Sequence, residues 1–112
     1  MSEGKFTTGP WVVVEGDNFS KDIEITTSER LQTSRGSICE MDIYFTGSIG
    51  DEQKANAYLI AAAPEMYYEI ERDIAWLNRM IVTHGDSHPM TVMFYQMKSD
   101  KQKLLAKARG EF

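Results

Sequence analysis

Cys39, His84 and His88 are the side chains in this sequence best suited to act as nucleophile, base or metal ligand. His84 and His88 stand four positions apart with Asp86 between them, and two imidazoles with a carboxylate form a metal-ligand set. Gly85 and Pro89, however, interrupt the helix that would place both rings on one face. The plainer reading is a pair of loop residues beside a helix end. Cys39 shares its parity with Met41, Ile43 and Phe45, so it reads as a small apolar residue on the inner side of a strand. The sequence holds no glycine-rich phosphate loop, no paired cysteines and no nucleophile elbow. The expectation is a protein that is not an enzyme, carries no cofactor and requires no metal.

Two further patterns bear on binding. Residues 98–109 hold Lys98, Lys101, Lys103, Lys107 and Arg109 against a single acid, Asp100. Such a stripe could follow a phosphate backbone, or be a solvated face whose cations favour a helix C-terminus. The second pattern is aromatic. Tyr58, Tyr67, Tyr68, Trp76, Phe94 and Tyr95 all fall after residue 50. Tyr67 and Phe94 lie on packing stripes, whereas Tyr68, Trp76 and Tyr95 lie beside them. Exposed aromatic rings are over-represented among binding hot spots, and they are also ordinary boundary residues.

Composition narrows the classes. A chain of 112 residues suits one compact domain, residues 1–112, with a sheet half at 10–46 and a helical half at 51–109. Its net charge of −5 argues against nonspecific attachment to nucleic acid or anionic membrane. No apolar run has the length of a bilayer span. Cys39 is the only cysteine, so no intrachain disulfide can form. The start of the chain lacks the basic and apolar regions of a signal peptide. These features predict a soluble protein of a reducing cytoplasm. Residues 1–50 carry four basic and eight acidic side chains, and residues 51–112 carry eight and nine. The excess negative charge therefore sits in the first half, where Glu24 and Asp42 lie on predicted strands.

The elements that position these groups follow from periodicity. Trp11-Val12-Val13-Val14 is β-branched and aromatic and predicts a strand after the Gly9-Pro10 turn. Gly16-Asp17-Asn18 is a turn signal. Residues 22–27 alternate, which turns Ile23 and Ile25 inward. Residues 28–37 read as a connection, with Leu31 either opening a short strand or tucking the loop down. Residues 39–45 form the clearest strand. Asp51 is a plausible cap for a helix to about Ala62, and Pro64 divides it from a second helix over 64–84. In that second helix Tyr67, Ile70, Ile74, Leu77 and Ile81 make a stripe. A third helix at 89–109 places Met90, Phe94, Met97, Lys101, Leu104 and Ala108 in register. The predicted core is Ile70, Ile74, Leu77, Phe94, Met97 and Leu104. The fold class is α+β: a small antiparallel sheet packed against a C-terminal antiparallel helical hairpin.

Three segments also carry a resemblance: Gly9-Pro10-Trp11 near the start, Ala55-Asn56-Ala57-Tyr58-Leu59-Ile60-Ala61-Ala62-Ala63-Pro64-Glu65 in the centre, and Leu105-Ala106-Lys107-Ala108-Arg109-Gly110-Glu111 at the end. In this order they resemble small bacteriophage and prophage accessory proteins of unannotated function. The chain departs from them where Tyr58 replaces a more usual basic residue and Tyr67 and Tyr68 replace aliphatic ones. The resemblance implies a phage gene acting in the host bacterial cytoplasm and no known reaction. Together with the acidic, aromatic-bearing surface it predicts noncatalytic binding of a host protein, with inhibition of a defence system of CRISPR or restriction type as the sharper form. Tyr68, Trp76 and Tyr95 would supply the apolar centre, and Glu24 and Asp42 an acidic rim. Three alternatives stay open. The basic helix would bind nucleic acid, a seam pocket would sequester a nucleotide, or the hairpins would pair into a homo-oligomer.

Overall fold

The computed structural model describes residues 5–15, 23–33, 36–41 and 51–111. Among them run β1 (Val12–Glu15), β2 (Ile23–Thr26), α1 (Ser28–Thr33), β3 (Cys39–Met41), α2 (Asp51–Ala61), α3 (Ala63–His84) and α4 (Thr91–Ala108). The fold is α+β with an antiparallel sheet in the first half and helices after it, as the patterning predicts. The chain divides into two compact units, Phe6–Glu65 and Met66–Phe112, the latter including Met1–Lys5. The turn at 16–18, Asp22 and residues 42–50, including Asp42, Ile43 and Phe45, lie outside the described residues.

In the first unit the three strands are ordered β1-β2-β3, both pairs antiparallel. Ile23 faces Glu15 and Met41, and Ile25 faces Val13 and Cys39. Strand alternation puts this set on one face, and α2 packs there against β1 and β2. Ile23, Ile25, Ala57 and Ala61 form the buried cluster, with Trp11, Val13 and Cys39 packed against it. Cys39 is thus a half-buried core neighbour, as its parity predicts. At the end of β1, Glu15 meets Lys54 of α2 at 3.8 Å. Gly9 lies close against Pro64, where an added Cβ would stand a tight 3.1 Å from the proline side chain.

The connection expected at 28–37 contains a helix instead. The Thr27 hydroxyl accepts the Arg30 amide at 3.1 Å, which makes Thr27 the N-cap of α1. Glu29 in the first turn suits the positive end of the helix dipole. Leu31 accordingly belongs to a helix, neither to a strand nor to a loop.

Between α2 and α3 only Ala62 leaves helical geometry. Pro64 has no N–H for the carbonyl four residues back, so the helical ladder is broken at the predicted place. In the second unit α3 and α4 form the antiparallel hairpin. Gly85 ends α3 in the left-handed region, φ 73°, with its amide on the Ile81 carbonyl at 2.9 Å. At the other end Gly110, φ 76°, closes α4, with the Glu111 amide on Ala106 O and the Gly110 amide on Lys107 O. That is the paired bonding of a Schellman cap.

The stripe on α3 holds: Tyr67, Ile74 and Leu77 are buried and Ile70 half-buried. The stripe on α4 is rotated from the expectation. Thr91 and Leu105 are buried and Phe94, Lys98 and Lys101 half-buried, whereas Met97 and Leu104 lie on the surface. Met97 and Leu104 are therefore not core residues. The two stripes share the same 3–4 spacing and have Phe94 and Lys101 in common. The Asp73–Lys101 pair at 3.1 Å fits either one, whereas the Tyr67 hydroxyl accepting from Arg109 at 3.1 Å and the Thr91 hydroxyl donating to Gly85 O favour the more polar one.

Leu105→Ala and Ile74→Ala should each lower stability by roughly 2–5 kcal/mol, the range for large-to-small core changes. Val92→Ala, on the outer side of α4, should stay within about 0.5 kcal/mol of the parent. Urea midpoints read both effects, and a silent Leu105→Ala would return the stripe to its expected phase.

Candidate partner-binding surface

The three aromatic candidates are all on the surface: Tyr68 is 41% exposed, Trp76 44% and Tyr95 48%. They do not converge. An α-helix turns about 100° per residue, so Trp76 lies about 80° around α3 from Tyr68 and roughly 12 Å along it. The edge-on contact of Trp76 with Phe94, ring centres 6.0 Å apart, fixes which flank of the hairpin Trp76 occupies. Asp73–Lys101 and the stacking of His84 on Phe94 lie on that same flank. The Tyr67–Arg109 bond marks the opposite flank, and the helical phases of Tyr68 and Tyr95 fall there. Projected on the hairpin axis these two tyrosines are roughly 16 Å apart, from the 1.5 Å rise per residue. The hairpin thus has a tyrosine flank and a tryptophan flank.

The tryptophan flank is the more apolar. Met90, Met93, Met97 and Leu104 recur along α4 beside Trp76, and all four are exposed. Methionine side chains are unbranched and polarizable, so they adapt to an irregular opposing surface. An apolar stripe of this kind on the surface marks an interaction site more often than a scattered exposed side chain does. Met97 and Leu104 of this stripe are the two residues that the sequence pattern places in the core.

On the sheet, Glu24 is half-buried and pairs across the strands with Val14 and Glu40. Its side chain points away from the Ile23 and Ile25 face. Two carboxylates directly opposite one another repel, and the Ser37 hydroxyl donates to Glu40 at 3.4 Å. Glu24 therefore belongs to an acidic strip. Asp42, its expected companion, lies outside the described residues.

The basic helix is partly consumed by its own hairpin. Lys101 pairs with Asp73. Arg109 bonds Glu111 and Tyr67; the Glu111 bond first, then the Tyr67 bond, hold its guanidinium more firmly protonated than usual. Lys98 is half-buried, which leaves Lys103 and Lys107 exposed.

His84 and His88 come together despite the broken helix, their ring centres 4.5 Å apart. The expectation that Gly85 and Pro89 separate the rings is incorrect, because the turn folds back on itself. The amide of His88 reaches Gly85 O, and the buried Thr91 hydroxyl donates to the same carbonyl at 2.6 Å. His88 Nδ1 accepts the Met90 amide at 3.1 Å, which engages one of its two ligand atoms within the turn before α4. Among the described residues no three His, Cys, Asp or Glu side chains gather as a metal site would need.

One open cleft of about 330 Å³ lies in the first unit, lined by Thr7, Thr8, Thr27, Ser28, Glu29 and Arg30. Arg30 donates to the Thr7 hydroxyl at 3.4 Å, and Trp11 Nε1 donates to Thr7 O at 2.9 Å. The lining mixes a guanidinium with a carboxylate, which opposes a strongly anionic occupant. Among the described residues no helix is long and apolar enough to cross a membrane.

Chelator treatment is expected to leave the melting temperature unchanged. A drop that added zinc restores would make the histidine pair a structural metal site.

No curated protein and no solved structure matches this chain. A family model does, from one end to the other. Matched over residues 1–112, the chain belongs to the family described as Salmonella phage P22 protein Y8K6.

Proposed function

We propose that this phage protein is a noncatalytic accessory factor that binds a host protein in the bacterial cytoplasm, and that its target belongs to a defence system of the restriction or CRISPR type. The observation that carries the reading is the pair of exposed tyrosines, Tyr68 and Tyr95, on one flank of the hairpin. Their separation of roughly 16 Å fits within one interface of ordinary size, about 800 Å² per partner. Tyrosine combines a large contact area with a polar tip and few rotatable bonds, which suits a binding anchor. The acidic strip at Glu24 and Glu40 supports a basic partner such as a protein that handles nucleic acid, because opposite charge steers encounter. The family match supports the phage origin.

A photo-crosslinking residue placed at position 68 or 95 during infection should capture one host protein, and one placed at Val82 should not. With that protein purified, Tyr68→Ala or Tyr95→Ala should shorten the lifetime of the complex at least tenfold, as loss of an anchor does. Glu24→Lys should mainly slow association, and raised salt should act the same way. Capture that is equal at all three positions, or a complex indifferent to both tyrosines, removes the reading.

Nucleic-acid binding through α4 retains two exposed lysines, Lys103 and Lys107. With so few phosphate contacts its salt dependence would be shallow, and filter binding across salt separates it from the protein-binding reading. Nucleotide sequestration in the Thr7–Arg30 cleft predicts a rise in melting temperature with a signalling nucleotide.

A further inference from the structure

We infer that the tryptophan flank of the hairpin is covered by a second copy of this chain, giving a two-fold symmetric four-helix bundle. The flank combines Trp76 of α3 with Met90, Met93, Met97 and Leu104 of α4, all exposed. Of the α4 residues turned inward, Thr91, Lys98 and Lys101 are polar and only Phe94 and Leu105 are apolar, so the apolar side of this helix lies largely outside the hairpin. A two-helix unit built this way gains a hydrophobic core when a second hairpin is laid on its apolar flank.

Charge selects the occupant. On α3 the rim of this flank carries Glu69, held by Arg72 at 3.5 Å. On α4 the corresponding rim carries Lys107. The antiparallel register set by Asp73–Lys101 brings residues 69 and 105 to one level, so Glu69 and Lys107 sit near the same end of the hairpin. A two-fold axis parallel to the helices places α3 of one copy against α4 of the other without changing level. Glu69 then meets Lys107 of the second copy, and the same contact is made again by symmetry, as an isologous interface requires. A flank that carries both signs at one level, one on each helix, is self-complementary. The Asp73–Lys101 pair in the middle of the flank enters the interface already neutralised. A two-fold axis across the helices would instead set Glu69 against the turn end of the other hairpin and lose this match.

This inference is separate from the host-protein reading, which uses the opposite flank. The purified full chain tests it alone, by sedimentation velocity over a range of concentrations. A monomer–dimer equilibrium is expected. Met93→Glu and Met97→Glu should each weaken it at least tenfold, since each sets a charge in the apolar centre. Both positions are exposed in the monomer, so circular dichroism and the urea midpoint should show an intact fold. Glu69→Lys or Lys107→Glu alone should weaken the dimer about threefold, the scale of a rim ion pair. The double variant Glu69→Lys/Lys107→Glu should recover the parent affinity, because the swapped charges meet again across the axis. A chain that sediments as a monomer up to its solubility limit overturns the inference. So does an association that survives both methionine changes, or a double variant no tighter than the single ones.

Discussion

Ala57 and Ala61 let α2 come down onto β1 and β2 with no large side chain between, and this close approach governs the first unit. Ile23 and Ile25 fill the space that the two alanines leave, and both are fully buried. Burying each isoleucine is worth about 1.5–3 kcal/mol relative to leaving it exposed. Pro64 then breaks the helical ladder one turn after the cluster, and Gly9 packs closely against that proline. Trp11 is braced by its bond to Thr7 and by the edge of Phe6 at 6.2 Å, and it packs on the same cluster. The Gly-Pro-Trp start and the alanine-rich centre of the sequence are therefore two sides of one contact. They record how the first unit is assembled, which is why these motifs by themselves point to no reaction. The outward side of the same helix, with Tyr58 and Leu59, is exposed and plays no part in that contact.

The second unit is organised on different terms. Polar groups occupy much of the line where α4 meets α3: Lys101 with Asp73, Arg109 with Tyr67, and Thr91 with the Gly85 carbonyl. The Lys101–Asp73 pair is partly open to water and is worth at most about 1 kcal/mol. Such bonds add little net stability, but they discriminate sharply between registers, because slipping α4 by one residue would strand every one of them. The hairpin's geometry is thus specified mainly by hydrogen bonds and charge, with Tyr67, Ile74, Leu77 and Leu105 supplying the apolar part.

That difference explains what could be read from the sequence. Where burial decides, periodicity succeeds: Ile23 and Ile25 face inward, the α3 stripe is in place, and the break at Pro64 and the stops at Gly85 and Gly110 sit where the residue types require. On α4 two stripes of equal spacing compete, the expected Met90-Phe94-Met97-Lys101-Leu104 and the observed Thr91-Phe94-Lys98-Lys101-Leu105. Hydrophobicity favours the first, but Tyr67, which favours the second by holding Arg109, lies 42 residues away in sequence. Local pattern carries no information about it. Helix α1 was legible only through its cap, since six residues are too few for a periodic signal, and Thr27 before an acidic first turn was that cap. The histidine pair fails for a related reason. A break in helical geometry was taken to separate side chains four apart, whereas a turn closed by Gly85 and Thr91 returns them to contact.

The candidate surface follows from the same competition. Had α4 buried its methionine stripe, the hairpin would have been better packed and would have turned a lysine-bearing face to solvent. By turning the polar stripe inward it leaves Met93, Met97 and Leu104 on the outside. Exposed apolar area of this extent costs solubility, and the cost is offset when another surface covers it. The exposed apolar groups of the hairpin are thus a consequence of which stripe α4 turns inward. A residue that changes that selection, such as Thr91, acts on the surface through the phase of α4. Its effect would reach the exposed methionines by rotation of the helix alone, because the Thr91 hydroxyl is fixed to the Gly85 carbonyl, and Thr91 lies on the inward line and not on the methionine line.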